Sequence, residues 1–311
     1  MGLFRHLVVS GGSTAGFAFF GAWRELIEQS IVNIDEIESI YATSVGTIIS
    51  VLIVLGYDMK DIDDFLVYRP WHTIFNVDFH AVIRAIQEGG LFGKETIIET
   101  LKPMLLAKDI SMDITLFDFH ALNGKHIHFF TTRYETLDLV DVSHTTHPEW
   151  KLIDAVYASC CLPVIFDPLQ INDDYYVDGA VMKNYPLKQC LDDGCNPEMI
   201  LGISHKEELQ SRLASPFSDA HSTYKLFDYM TSFLIKLWTI VKNKHSTEET
   251  YVPYQIMIDY VVKPLSIMHV LESQTERRRL VDYGREIANQ TISSTNFSKA
   301  NVDILASKSI I

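Results

Sequence analysis

The chain has 311 residues, 47% hydrophobic and 21% charged, which is enough apolar material for a large core and too much for a disordered chain. Its 26 Lys and Arg stand against 40 Asp and Glu, a formal net charge of −14. That balance argues against a phosphate-neutralising nucleic-acid binder and against electrostatic docking on anionic membranes, so any membrane contact is expected to be apolar.

The N-terminus, Met-Gly-Leu-Phe-Arg-His, leads straight into an apolar strand and carries no signal-peptide h-region. His6 stands where a myristoylation signal wants Ser or Thr. No run of about 18 apolar residues predicts a transmembrane helix. A cytoplasmic or peripheral-membrane location is therefore expected. Cys160, Cys161, Cys190 and Cys195 read as reduced core thiols.

In chain order, Arg5 to Ser10 predicts a buried strand, followed by a glycine-rich turn, Gly11 to Gly16. Phe17, Phe20, Trp23, Leu26 and Ile27 recur at helical spacing. Ser39 to Ala42 predicts a second strand and Thr47 to Leu55 a helix buried on every face. Asp58 is expected to cap the next helix, which carries Ile62, Phe65 and Leu66. Residues 69–93 read as irregular. Lys94 to Leu106 and Leu152 to Ser159 predict helices. His126 to Thr132, Leu137 to Val142, Tyr175 to Val177, Met199 to Ser204 and Tyr254 to Ile258 predict strands. Residues 206–250 read as mixed, their strongly apolar stretch 224–241 either packing against the sheet or forming a lipid-facing cap over the active site, and Met268 to Ile292 as one long amphipathic helix. Alternating strands and helices predict a single α/β domain over 1–311, a three-layer α/β/α sandwich with a mostly parallel central sheet.

Three turns carry chemistry-bearing residues. Ala42-Thr43-Ser44-Val45-Gly46 joins a strand to a buried helix, and a serine there is pushed out of the backbone path while its neighbours two positions away must be small. Taken alone it is equally a plain helix-capping serine. Ser10-Gly11-Gly12-Ser13-Thr14-Ala15-Gly16 could gather N–H groups around an anion. A dinucleotide loop fits it poorly, because Ser13 takes the place of the middle glycine and Asp35 lies in a polar loop. Tyr175-Tyr176-Val177-Asp178-Gly179-Ala180 ends a strand on an aspartate, which in isolation is simply a turn.

These turns come in one order, with Ala158-Ser159-Cys160-Cys161-Leu162-Pro163-Val164-Ile165-Phe166-Asp167-Pro168 before the third and Val181-Met182-Lys183-Asn184-Tyr185-Pro186 after it. The combination resembles the patatin-like phospholipases, over roughly residues 5–205. The resemblance implies a patatin-like fold, a Ser44–Asp178 dyad acting through an acyl-serine, and an oxyanion hole from Gly11, Gly12 and Ser13. Gly16, Ala42, Gly46, Gly179 and Ala180 would support the motifs. It implies no metal and no cofactor. Three residues depart from the family pattern: Ser13 for glycine, Ala15 for a basic residue and Ala42 for glycine. If the turn needs positive φ at Ser13, serine strains it by roughly 1 kcal/mol.

Other clusters read as bland. No motif fixes His72, His80, His144 or His147 as a triad histidine. His126 and His128 share a strand face without an evident third ligand, and Cys190 and Cys195 lack partners, so neither pair reads as a metal site. Arg277 to Arg279 read as a solvated helix face. The expected function is lipid-ester hydrolysis of the phospholipase A or lysophospholipase type, on a lipid substrate at a membrane or micelle surface, with no nucleic-acid partner. The alternatives are a catalytically impaired lipid-binding protein and an acyltransferase using the same serine. A nucleotide-dependent oxidoreductase leaves Ser44 and Asp178 unexplained.

Overall fold

The computed structural model describes residues 3–205, 251–260, 264–293 and, singly, Tyr229, Met230, Phe233, Lys236 and Phe297. The rest of the 206–250 segment, where a lipid-facing cap is one expectation, and so most of its apolar stretch, lies outside the described residues. Strands β1 (His6–Val9), β2 (Ser39–Thr43), β4 (His126–Arg133), β9 (Ile200–His205) and β10 (Tyr254–Ile258) run parallel in the order β10-β9-β1-β2-β4. On β4 the sheet turns mixed: β5 (Leu139–Ser143) and β8 (Asp174–Asp178) pair with it antiparallel, and β7 (Leu169–Ile171) extends β8. Short β3 (Gly90–Phe92) and β6 (Val164–Phe166) form a separate ladder.

Side chains alternate across the sheet with period two, and both faces are buried, which is why the strands read as continuous apolar runs. Leu7, Val9, Ile40, Ala42, Phe129, Leu201 and Ile203 enter one core. Phe19, Phe20, Trp23 and Leu26 of α1 (Gly16–Glu28) and Val51 and Leu52 of α2 (Val45–Val54) fill the same core. Val8, Tyr41, Phe130 and Ile200 point the other way, onto Leu187 and Cys190 of α8 (Leu187–Asp192). Helices α3 (Met59–Tyr68), α4 (Phe79–Glu88), α5 (Lys94–Leu106), α6 (Leu116–Asn123) and α7 (Leu152–Cys160) complete the order before α8. This is the expected α/β/α layering.

Four expectations are corrected. Residues 69–93 contain helix α4 (Phe79–Glu88) as well as β3. The Asp78 carboxylate caps α4 by accepting from Ala81 N–H at 2.9 Å, and Gly89 ends it with φ 94. The helix is hard to read because much of its apolar stripe faces outward, with Phe79 74% and Ile86 77% exposed. Asp58 precedes α3, yet its side chain makes no capping bond. The single C-terminal helix is two, α9 (Pro264–Glu272) and α10 (Gln274–Ile292), separated at Ser273, whose hydroxyl accepts from Glu276 N–H and starts α10 afresh.

The fourth correction concerns Arg277 and Arg278. Arg277 is 3% exposed and donates to the carbonyls of Val67, Arg69, Val270 and Leu271 at 2.7–3.1 Å. Those carbonyls end α3 and α9, where cation donors are favoured. Arg278 grips Asp63 of α3 with both terminal nitrogens. Only Arg279 matches the expectation of a solvated arginine. Arg277→Met should therefore destabilise the fold by about 3 kcal/mol, because it orphans buried carbonyls, whereas Arg279→Met should stay within about 0.5 kcal/mol of wild type. Urea unfolding midpoints check the pair, and equal effects would contradict the assignment.

Candidate active site

Strand register alone brings Ser44 and Asp178 together. β5 pairs with β4 from His128 to Thr132 and fills one edge of it. β2, alongside His126 to Phe130, and β8, alongside Thr131 to Arg133, must then share the other edge end to end. Thr43, last in β2, lies opposite Phe130, and Asp178, last in β8, lies opposite Thr131, one residue further along β4. The two strands thus meet head-on at the residues their turns begin from.

Ser44 follows β2 in a conformation that few non-glycine residues adopt, φ 53 and ψ −131, and stands directly before α2. Several contacts hold that turn. Ser44 N–H donates to Ser159 Oγ at 2.9 Å, and Ser159 Oγ donates on to Phe130 O at 2.6 Å. Thr47 Oγ1 donates to Ser44 O at 2.7 Å. A Cβ on Gly46 would sit 2.7 Å from Ser10 O, so only glycine lets α2 start this close to β1. Ala42, the other small neighbour, is fully buried in β2.

Ser44 Oγ donates to Asp178 Oδ2 at 2.7 Å. Ser44 is half-buried, while Asp178 is 2% exposed. The other carboxylate oxygen, Oδ1, accepts from Ala180 N–H at 2.7 Å. Thr132 Oγ1 donates to the Asp178 carbonyl, and Asp178 N–H donates to Cys161 O. Gly179 lies against β4: a Cβ there would stand 2.1 Å from Phe130 O. Burial pushes the Asp178 carboxyl up to about 7, against the opposing pull of its hydrogen bonds from Ser44 and Ala180. A carboxylate so placed can take a serine proton at a pH near neutrality, which one in water does poorly.

The glycine turn lies beside this pair, and a Cβ on Gly11 would come 3.0 Å from Ser44 Cβ. Gly11 N–H donates to Asn184 O at 2.9 Å, and Asn184 Nδ2 returns a bond to Gly11 O at 3.3 Å. That pairing removes Gly11 from the expected donor set. Among the described residues, the Gly12 and Ser13 N–H groups have no backbone partner. The turn closes through Ala15 N–H to Gly12 O, and Ala15 is fully buried, so a basic side chain has no room in this arrangement. Gly16 opens α1 against Val45.

Ser13 does take the positive φ, at 49. Ser13→Gly should relieve strain and add about 0.5–1 kcal/mol, net of the freer unfolded chain, whereas Ser13→Val should lose more than about 1 kcal/mol. Thermal unfolding of the two variants decides it. If both moved in the same direction, the strain would not reside at this residue.

Ser159 and Asn184 are the positioning residues that sequence reasoning leaves without roles. Both lie inside the motif segments that flank the aspartate turn, and only the fold shows what each one holds. The four cysteines are free, Cys160, Cys161 and Cys190 being buried. Burial raises the Cys160 and Cys161 thiols far above their ordinary range, so neither competes as a nucleophile.

Residues 7–191 match the sequence model of the family described as patatin-like phospholipase. A protein of Invertebrate iridescent virus 6 named "Probable lipid hydrolase" is 26% identical over 186 residues, 59% of this chain and 62% of its own length. A Bacillus subtilis protein, "Uncharacterized protein YqhO", is 25% identical over 194 residues, 58% of this chain and 64% of its own. The matches therefore span a little under two thirds of these curated relatives. Among solved structures, VipD from Legionella pneumophila superposes with a TM-score of 0.53 at 16% identity, over 93% of this chain and 66% of that one, a likeness of fold.

Proposed function

The chain belongs to the patatin-like phospholipase family, and from that premise we propose that it hydrolyses carboxylic ester bonds of phospholipids or lysophospholipids through an acyl-Ser44 intermediate. The observation that carries this reading is Ser44 Oγ, held at φ 53 before α2 and donating to buried Asp178 at 2.7 Å. Ser44 Oγ attacks the ester carbonyl carbon while its proton passes to Asp178 Oδ2. The tetrahedral oxyanion sits between the Gly12 and Ser13 N–H groups of the turn before α1 and the positive end of α2, which begins just after Ser44. Collapse expels the alcohol, which leaves with the proton from Asp178. Water then attacks the acyl-serine, Asp178 takes its proton, and the fatty acid departs as Ser44 recovers its hydrogen.

The exposed apolar face of α4 supports a lipid surface as the meeting place. No helix among the described residues is long and apolar enough to cross a membrane. The outward Phe79, Ile83 and Ile86 of α4 nevertheless give it an apolar contact surface. The test is fatty-acid release from phospholipid vesicles and from a short soluble ester as pH is varied. Because Asp178 must lose its proton to act as base, and does so at about 7, kcat/KM should climb about tenfold per pH step below that value and level off above it. A flat profile from pH 5 to 9 would contradict Asp178 as the base.

A further inference from the structure

Three histidines from three different elements converge at one corner of the sheet. His120 comes from α6, His126 opens β4, and His144 directly follows β5. One ligand nitrogen from each lies within 4.8 Å of the others. The rings of His120 and His144 lie 3.7 Å apart, and His126 stands 5.0 Å from each. The sequence offers His126 only His128 as a companion, whereas the fold supplies His120 and His144 and leaves His128 outside the cluster.

We propose that His120, His126 and His144 bind a divalent transition-metal ion, of which Zn²⁺ is the natural case for three imidazoles with a water in the fourth position. The ligating nitrogens are prepared. Lys125 O, which can only accept, takes the His120 Nδ1–H at 2.9 Å, so His120 Nε2 carries its lone pair. Among the described residues, His144 Nδ1 is buried with no hydrogen-bond partner. His144 lies against the other two rings, 3.7 Å from His120 and 5.0 Å from His126 between centroids. Zn–N bonds of about 2.1 Å in a tetrahedron set nitrogens about 3.4 Å apart. The His120 and His144 rings are stacked 14° from parallel, so binding requires His144 to turn out of the stack while His120 stays anchored on Lys125 O; rotation of exposed His126 then closes the remaining gap and leaves the water position open to solvent. Asp141, at the centre of β5, lies three residues before His144 in the chain. Its carboxylate holds His128, whose ring stacks on Tyr41.

The site is remote from Ser44. His126 pairs with Ser39 at the start of β2, four residues before Thr43, or about 13 Å along the strand. Its effect is therefore to clasp α6, β4 and the end of β5, and ester hydrolysis should proceed with or without the ion.

The test uses the whole chain, dialysed against chelator and titrated with Zn²⁺ alone by calorimetry and thermal unfolding. Wild type should take up one Zn²⁺ at this site, with Tm raised by about 5 °C at a hundredfold excess over Kd. His126→Asn, at an exposed position, and His144→Ala should each weaken that binding at least about tenfold and remove the Tm shift. Cys195→Ser, on a separate thiol pair, should keep it. Absence of Zn²⁺ binding by wild type would overturn the proposal. So would binding that survives in both histidine variants, or binding lost in Cys195→Ser and kept in His126→Asn.

Discussion

Ser44→Ala should lower kcat/KM for lipid-ester hydrolysis by about 10³–10⁶-fold while leaving the fold intact. The size of the loss follows from the lack of a substitute nucleophile beside Ser44 among the described residues. The neighbouring hydroxyls are committed elsewhere: Ser159 Oγ to Phe130 O, Ser10 Oγ to Gly11 O and Thr47 Oγ1 to Ser44 O. The nearby thiols are buried and protonated. Alanine keeps the strained backbone at φ 53, so Ser44→Gly should be equally inactive but about 1 kcal/mol more stable than Ser44→Ala. Steady-state kinetics and a denaturant curve on the two variants separate the chemical from the conformational role. Retention of even a tenth of wild-type activity in Ser44→Ala would sink the assignment.

Asp178→Asn should cost about 10³–10⁴-fold in activity and yet stabilise the protein above neutral pH. The amide can still accept from Ala180 N–H and approach Ser44 Oγ, so the geometry survives while the proton acceptor is lost. The stability effect has a definite sign. In the folded chain Asp178 holds its proton up to about 7, whereas its ordinary value is 3.8. Between those two values the folded state binds the extra proton, so stability falls as pH rises through the window and is lowest above it. The substituted asparagine never carries the buried charge and escapes that decline, a difference on the order of a few kcal/mol at pH 8 and close to nothing at pH 4. Urea unfolding of both proteins at these two pH values measures it. A variant less stable than wild type at pH 8 would mean that Asp178 is held as a favourable ion and is no poised base.

The parts of this molecule legible in sequence are those in which a local backbone demand selects residue types. The strand-to-helix turn around Ser44 needs small neighbours, and Gly46 meets Ser10 O at a distance that permits nothing larger. The apolar runs of β1, β2 and β9 announce a sheet buried on both faces. The unread parts depend on partners far along the chain. Arg277 looks solvated until Val67 and Arg69, some 210 residues earlier, present their carbonyls to it. His126 looks isolated until α6 and the end of β5 bring His120 and His144 beside it. Gly11 looks like an oxyanion donor until Asn184 claims its N–H. Helix α4 escapes notice for the opposite reason: its caps are local and readable, but its apolar stripe faces outward and mimics an irregular surface.

A fluorophosphonate probe followed by peptide mass spectrometry tests whether Ser44 is a nucleophile activated by Asp178. Wild type should carry a single covalent adduct on the peptide containing Ser44, absent in Ser44→Ala and formed far more slowly in Asp178→Asn. An adduct that persists in Ser44→Ala, or a wild-type chain that takes no label, would contradict that assignment.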